Sequence, residues 1–181
     1  MSINPCIEEV LITTEMIEEK CKELGKLLTI DYDGKKPILV GLLKGCVPFM
    51  AELIKNIECD IEIDFMDASS YVGVESVGKI TIKKDIDANV EGRHIVIVDD
   101  IIDTGLTLKE VVRIFKDRGA ASVETVTLVN KPKGRTVQGA EPKYIGYDIP
   151  NRFVVGFGLD YNEIYRNLPY IGVLKKSVYE K

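Results

Sequence analysis

The chain has 181 residues, enough for one domain whose core needs no disulfides, with little left over for a second. Hydrophobic residues make up 45% and charged residues 29%, which excludes the disordered class, and a formal net charge of −5 argues against a broad basic field for nucleic acid. No apolar run reaches the ~18 residues of a membrane span, and MSINPCIEEV lacks the basic and long apolar stretches of a secretion signal, so a cytoplasmic protein without a nucleic-acid or membrane partner is expected.

Thr13 and Thr14 are candidate N-caps of a first helix, in which Ile17, Cys21, Leu24 and Leu28 recur at helical spacing down to an Asp33-Gly34 turn. PILVGLL, opening at Pro37, is a continuous apolar run of the kind buried in a parallel sheet. A turn at Lys44-Gly45 follows, then a short helix around Phe49, Met50, Leu53 and Ile54. In DIEIDFM, Ile61, Ile63 and Phe65 alternate with acids as in a half-buried strand. Residues 67–78, rich in Ser and Gly, read as a loop long enough for a functional lid.

KITIK reads as the next strand, Glu91-Gly92 as a turn, and HIVIV as a buried strand ending at Asp99-Asp100. Leu108, Val111, Val112 and Phe115 mark a helix between Gly105 and Gly119. VETVTLV is a further strand, followed by a Lys-Pro-Lys-Gly-Arg loop, a strand near Tyr144-Ile145, and short extended runs in FVVGF and YIGVL. Strands alternating with helices imply an α/β fold with a central, mainly parallel sheet flanked by helices. Ligands of such sheets bind beyond the carboxyl ends of the strands, here the loops after Leu43, Val98 and Val129. The four cysteines form no C-x-x-C pair and His94 is the only histidine, so a zinc site is not expected.

The segment HIVIVDDIIDTGLTL, residues 94–108, carries the most chemistry. An apolar strand runs into acids, then into Thr104-Gly105-Leu106-Thr107, then into a helix. Gly105 permits a tight turn whose N–H groups converge, and the helix N-terminus adds partial positive charge, which together suit a phosphate monoester without a lysine. Asp99 and Asp100 suit a sugar diol or Mg²⁺, and Asp103, beyond the strand, suits a proton acceptor. Any one of these aspartates alone reads as a helix cap. Three acids, two threonines and a glycine in one strand-to-helix turn read as a site.

VDDIIDTGLTL resembles the phosphoribosyl pyrophosphate signature of the type I phosphoribosyltransferases. LLKGCVPFM, DFMDASSY, LVNKPKGR and FVVGFGLDYNEIYRNLPYIGVL narrow the resemblance to the bacterial hypoxanthine-guanine phosphoribosyltransferases, in that family's order over nearly the whole chain. Asp99 stands where the family usually has glutamate, Cys46 where small residues are common, and YDIP replaces FEIP. The resemblance implies one phosphoribosyltransferase domain over residues 1–181, with a small hood built from the terminal segments and a mobile lid containing Ser70 and Tyr71. The implied reaction joins hypoxanthine or guanine to 5-phosphoribosyl 1-pyrophosphate, giving IMP or GMP and pyrophosphate, with Mg²⁺.

By the same resemblance Asp103 is the general base, and Asp103, Thr104, Gly105, Leu106 and Thr107 hold the 5′-phosphate. Asp99 and Asp100 address the ribose and its metal, and Asp160 a second metal. Lys44 and Gly45, with the bond between them a candidate for the cis form, bind pyrophosphate together with Arg166. A 6-oxopurine needs a donor at O6, a flat apolar face and acceptors along its edge, which Lys131, Phe153 and the Val154 backbone supply, with the neighbourhood of Asp160 as an acceptor for a guanine amino group. In isolation Lys131 reads as a solvated loop lysine and Phe153 as core. A homodimer or homotetramer is expected by resemblance.

Gly73 to Lys79 nearly spells a phosphate-binding P-loop, but Ile80 stands where the hydroxyl residue belongs and a strand follows instead of a helix. Two rival readings are a nucleotide-sensing regulator that has lost catalysis and a transferase preferring xanthine. The first would be expected to carry an added basic module, and the chain keeps both Asp103 and Lys131.

Overall fold

The computed structural model describes residues 3–70 and 80–180. At its centre lies β5 (His94–Ile102), paired in parallel with β2 (Ile38–Leu42) on one side and β6 (Ser122–Asn130) on the other. β3 (Glu62–Ser70) adds in parallel to β2, and β7 (Tyr144–Asp148) in parallel to β6. β4 (Ile80–Lys84) closes the β3 edge antiparallel, giving the order β4-β3-β2-β5-β6-β7.

Both faces of this sheet are covered, which is why its inner strands are continuous apolar runs. Successive strand residues point to opposite faces. Leu39, Val96 and Val98 pack in one core with α1 (Thr14–Tyr32) and α2 (Cys46–Ile54), while Ile38, Val40, Ile95 and Ile97 pack in the other with α3 (Leu106–Asp117). A second, antiparallel sheet joins the two ends of the chain: β1 (Ile7–Ile12) pairs with β9 (Ile171–Leu174), which pairs with β8 (Val154–Val155). A single-turn helix, α4 (Lys176–Tyr179), ends the described chain.

The expected sheet-and-helix order holds, with four differences. β1 has no counterpart in the sequence reading, because its irregular pairing buries Ile7 and Ile12 and leaves Glu8 and Glu9 exposed, so no alternation is visible. Residues 67–70, read as the start of a loop, belong to β3, where Asp67, Ala68, Ser69 and Ser70 pair with β4. β5 runs past Asp99-Asp100 to Ile102, since β6 continues to pair with it as far as Ile102 opposite Asn130. Ile63 is half exposed while Met66 is buried, and the Asp64 carboxylate accepts the N–H groups of Asp87 and Ala88, so β3 has no simple wet and dry faces. Of the two candidate caps Thr13 is the one used, its Oγ1 accepting the Met16 N–H. Tyr71 and the P-loop-like Gly73–Lys79 lie outside the described residues.

Phe115, fully buried on α3, is the largest side chain in the core on that face of the sheet. Phe115→Ala should lower unfolding free energy by about 3–5 kcal/mol, read as a reduced urea midpoint at unchanged slope.

Candidate functional site

The carboxyl ends of β2, β5 and β6 open into one cleft of ≈ 460 Å³, roofed by the segment from Phe153 to Arg166. Of the described site residues singled out from the sequence, all line it except Leu106 and, in its described backbone, Ser70; Tyr71 lies outside the described residues. Leu106 opens α3 just behind the lining; Ser70 ends β3, and its side chain is outside the described part.

The turn from β5 into α3 is made by Gly105, which has φ +82° and sits at the N-cap of the 12-residue α3. A Cβ there would stand 2.8 Å from Ala140 Cβ and 2.9 Å from Arg135 Cδ, so glycine is required by both torsion and space. The Thr104 carbonyl accepts the Thr136 N–H at 3.1 Å, which ties the turn to the loop after β6. The first N–H groups of α3 have no carbonyl partner within the helix, and that of Leu106 donates to Thr104 Oγ1 at 3.4 Å.

Lys131 follows directly on β6 and is only 7% exposed, so the solvated-loop reading is overturned. Its N–H donates to the Ile102 carbonyl at 3.0 Å, fixing it beside the end of β5, and its Nζ lies 3.2 Å from Asp103 Oδ2. Buried lysines are rare unless paired. Here the pairing sets one ammonium and one carboxylate side by side at the mouth of the turn. Gly134, in a 3-10 turn over Pro132–Gly134, passes so close to Asp103 that a Cβ would collide with Oδ1.

Asp99 and Asp100 lie deep in the cleft with a strip of surface open to it. Burial pushes both carboxyls up, Asp99 most, because Asp100 places a second negative charge beside it. Among the described residues neither makes an ion pair. A divalent cation fits such a pair on chemical grounds, and among the described residues no three acids, histidines or cysteines stand together to hold one unaided. That donor set suits Mg²⁺ bound by one or two carboxylates and completed by substrate oxygens and water.

The loop after β2 contains a cis peptide bond, and it joins Leu43 to Lys44, one bond earlier than the candidate Lys44-Gly45. Gly45 presses against the Asp100 carboxylate, where a Cβ would clash. Behind it the buried Cys46 thiol is pushed up to about 12 by burial, with Asp100 and Asp99 adding to the shift, and stays neutral. Across the cleft, Arg166 bonds Asp160 Oδ1 at 2.9 Å, the Gly158 carbonyl at 2.7 Å and Glu163 Oε2 at 3.2 Å. The same Glu163 oxygen lies 3.2 Å from Lys44 Nζ, so one carboxylate bridges the two cations expected at the pyrophosphate. These two cations hold the Glu163 carboxyl below its usual range.

Phe153 is 38% exposed and lines the cleft; it is not core. Its ring is stacked on Tyr179 with centroids 4.9 Å apart and meets Tyr161 edge-on at 5.6 Å. Glu163 and Tyr179 are residues the sequence reading did not single out. NEIYR held the only hint of the first, an acid between two cations that are distant in sequence; nothing local marks the second.

The model of the phosphoribosyl transferase domain family matches residues 12–162. The hypoxanthine-guanine phosphoribosyltransferase of Lactococcus lactis subsp. lactis is 55% identical over 181 residues, covering 99% of this chain and 98% of that protein. The chain belongs to the hypoxanthine-guanine phosphoribosyltransferase family. The Streptococcus agalactiae serotype V protein of the same description is 57% identical over 176 residues, 97% of each chain. A solved hypoxanthine phosphoribosyltransferase from Staphylococcus aureus has the same fold, with a TM-score of 0.94 at 50% identity over 97% of this chain and 96% of that one. The chain is thus a transferase of the type I phosphoribosyltransferase fold, with the terminal sheet β1-β9-β8 as its hood, and the reading as a non-catalytic regulator is set aside. Among the described residues no helix is long and apolar enough to cross a membrane.

Gly45→Ala should force the Asp100 carboxyl out of its place, lowering unfolding free energy by about 1–3 kcal/mol in urea titration while the far-ultraviolet circular dichroism keeps its α/β form.

Proposed function

We propose that the chain condenses hypoxanthine or guanine with 5-phosphoribosyl 1-pyrophosphate, forming IMP or GMP and pyrophosphate in the cytoplasm. The whole chain acts as one domain and works as a homodimer or homotetramer. The observation that supports this reading most directly is the buried Lys131 ammonium held against Asp103 at the edge of a glycine turn suited to phosphate.

In this reading the turn Asp103–Thr107 receives the 5′-phosphate through N–H groups and the Thr104 and Thr107 hydroxyls. That fixes the ribose over Asp99 and Asp100, which accept hydrogen bonds from its hydroxyls. The purine lies against Phe153, its O6 accepting from Lys131 and its edge meeting the Val154 backbone, with acceptors near Asp160 for a guanine amino group. N9 attacks C1′ as the bond from C1′ to the pyrophosphate oxygen breaks, and the bonding pair leaves with pyrophosphate. Asp103 takes the N7 proton, so the base reaches the product neutral. Negative carboxylates beneath the ribose favour the positive charge that develops at C1′. Gly45, the Lys44 backbone and Arg166 meet the departing pyrophosphate. Asp99 and Asp100 would hold Mg²⁺, with Asp160 available to a second ion, and bound metal would supply positive charge that favours departure of pyrophosphate. Ser70 and Tyr71 belong to a lid that excludes water during transfer.

The test is to supply phosphoribosyl pyrophosphate and Mg²⁺ with hypoxanthine, guanine, xanthine or adenine in turn. Transfer to the first two and not to adenine is expected; no transfer to any purine would overturn the proposal. Asp103→Asn should lower turnover by about 10²–10⁴-fold with nucleotide binding retained. Lys131→Met should raise the KM for hypoxanthine by about 10–100-fold, through loss of a charged hydrogen bond at O6.

A further inference from the structure

A dianionic phosphate at the turn would lie among Asp99, Asp100 and Asp103, and the nearby cations that line the cleft are already committed. Lys131 is paired with Asp103, Arg166 with Asp160 and Glu163, and Lys44 with Glu163. Behind the turn stands Arg135, which does not line the cleft. Its guanidinium donates to the Asn130 side-chain oxygen and to the Ala140 carbonyl, both at 2.5 Å. Among the described residues it has no carboxylate partner. Its stem runs beneath Gly105, where a Cβ would stand 3.0 Å from Nη1. The next residue, Thr136, bonds the Thr104 carbonyl.

We infer that Arg135 is a positioning residue of the phosphate turn, supplying from behind it the positive charge that the 5′-phosphate meets, without touching the ligand. This rests on the assignment of residues 103–107 to the 5′-phosphate. Both of its acceptors are neutral, so no carboxylate bonds the guanidinium directly among the described residues. Asn130, only 5% exposed, is itself oriented by donating to Asp148 Oδ1 at 2.6 Å, so its oxygen is fixed towards Arg135. The planar fork of Arg135 bonds two fixed oxygens while its stem passes under the glycine, and the charge it carries there is what the phosphate meets.

The experiment compares the affinities of GMP and guanosine, which differ by the phosphate, in the unaltered protein, Arg135→Gln and Arg135→Lys. Arg135→Gln should weaken GMP by about 10-fold and leave guanosine unchanged, and Arg135→Lys should recover most of the loss. Equal weakening of both ligands, or a lysine variant no better than the glutamine one, would reduce Arg135 to a loop anchor and overturn the inference. Should Arg135→Gln fail to fold, Asn130→Asp combined with Asp148→Asn keeps the guanidinium and places a carboxylate on it. GMP should then weaken selectively, and unchanged GMP affinity would overturn the inference. If the unaltered protein binds guanosine as tightly as GMP, the assignment of the turn to phosphate fails as well.

Discussion

The contact between Lys131 and Asp103 governs the geometry of the cleft. A lysine with 7% of its surface exposed is unfavourable unless a negative group stands within reach, and Asp103 is that group. Asp103 itself keeps 48% of its side chain exposed, so solvent screens the pair and its net contribution to stability is small. Its consequence is positional. It closes the gap between the ends of β5 and β6, already linked by the Lys131 N–H to the Ile102 carbonyl, and keeps the Asp103 carboxylate at the cleft mouth. One carboxylate and one ammonium are thereby held side by side at the cleft mouth.

The cations on one side of the cleft are held by acids of the same wall. Glu163 bridges Lys44 and Arg166 through one oxygen, and Asp160 holds Arg166 from the other side. Lys44 and Glu163 are exposed, so solvent weakens their contact, while Arg166 and Asp160 keep only 26% and 30% of their side chains exposed. Asp99 and Asp100 are the opposite case: two adjacent acids, buried, without a resident cation among the described residues, whose carboxyls are pushed up until a positive group or a hydroxyl-rich ligand reaches them. Among the described residues, one side of the cleft thus carries two unpaired acids and the other two cations paired to acids.

The sheet and its flanking helices were legible because burial on both faces writes itself as unbroken apolar runs, as in ILVGL and HIVIV, and because α1 and α3 repeat their apolar residues every three to four positions. The hood was not, since β1, β8 and β9 are short, irregularly paired and drawn from both ends of the chain. Within the site, the strand-turn-helix that carries Asp99 to Thr107 is contiguous, so residue order alone exposes it. Lys131, Phe153, Asp160 and Arg166 gained their place from family resemblance, because each taken alone has a commoner structural use.

By itself the sequence determined the α/β class, the glycine strand-to-helix turn after HIVIV and the family, each carried by local pattern or by ordered motifs. Only the tertiary structure decided that Lys131 is buried against Asp103, that the cis bond precedes Lys44, that Glu163 joins two cations and that Arg135 lies under Gly105. The reason is separation along the chain: charge pairing and close approach depend on distances between residues tens of positions apart, and those distances exist only once β2, β5, β6 and the hood are assembled.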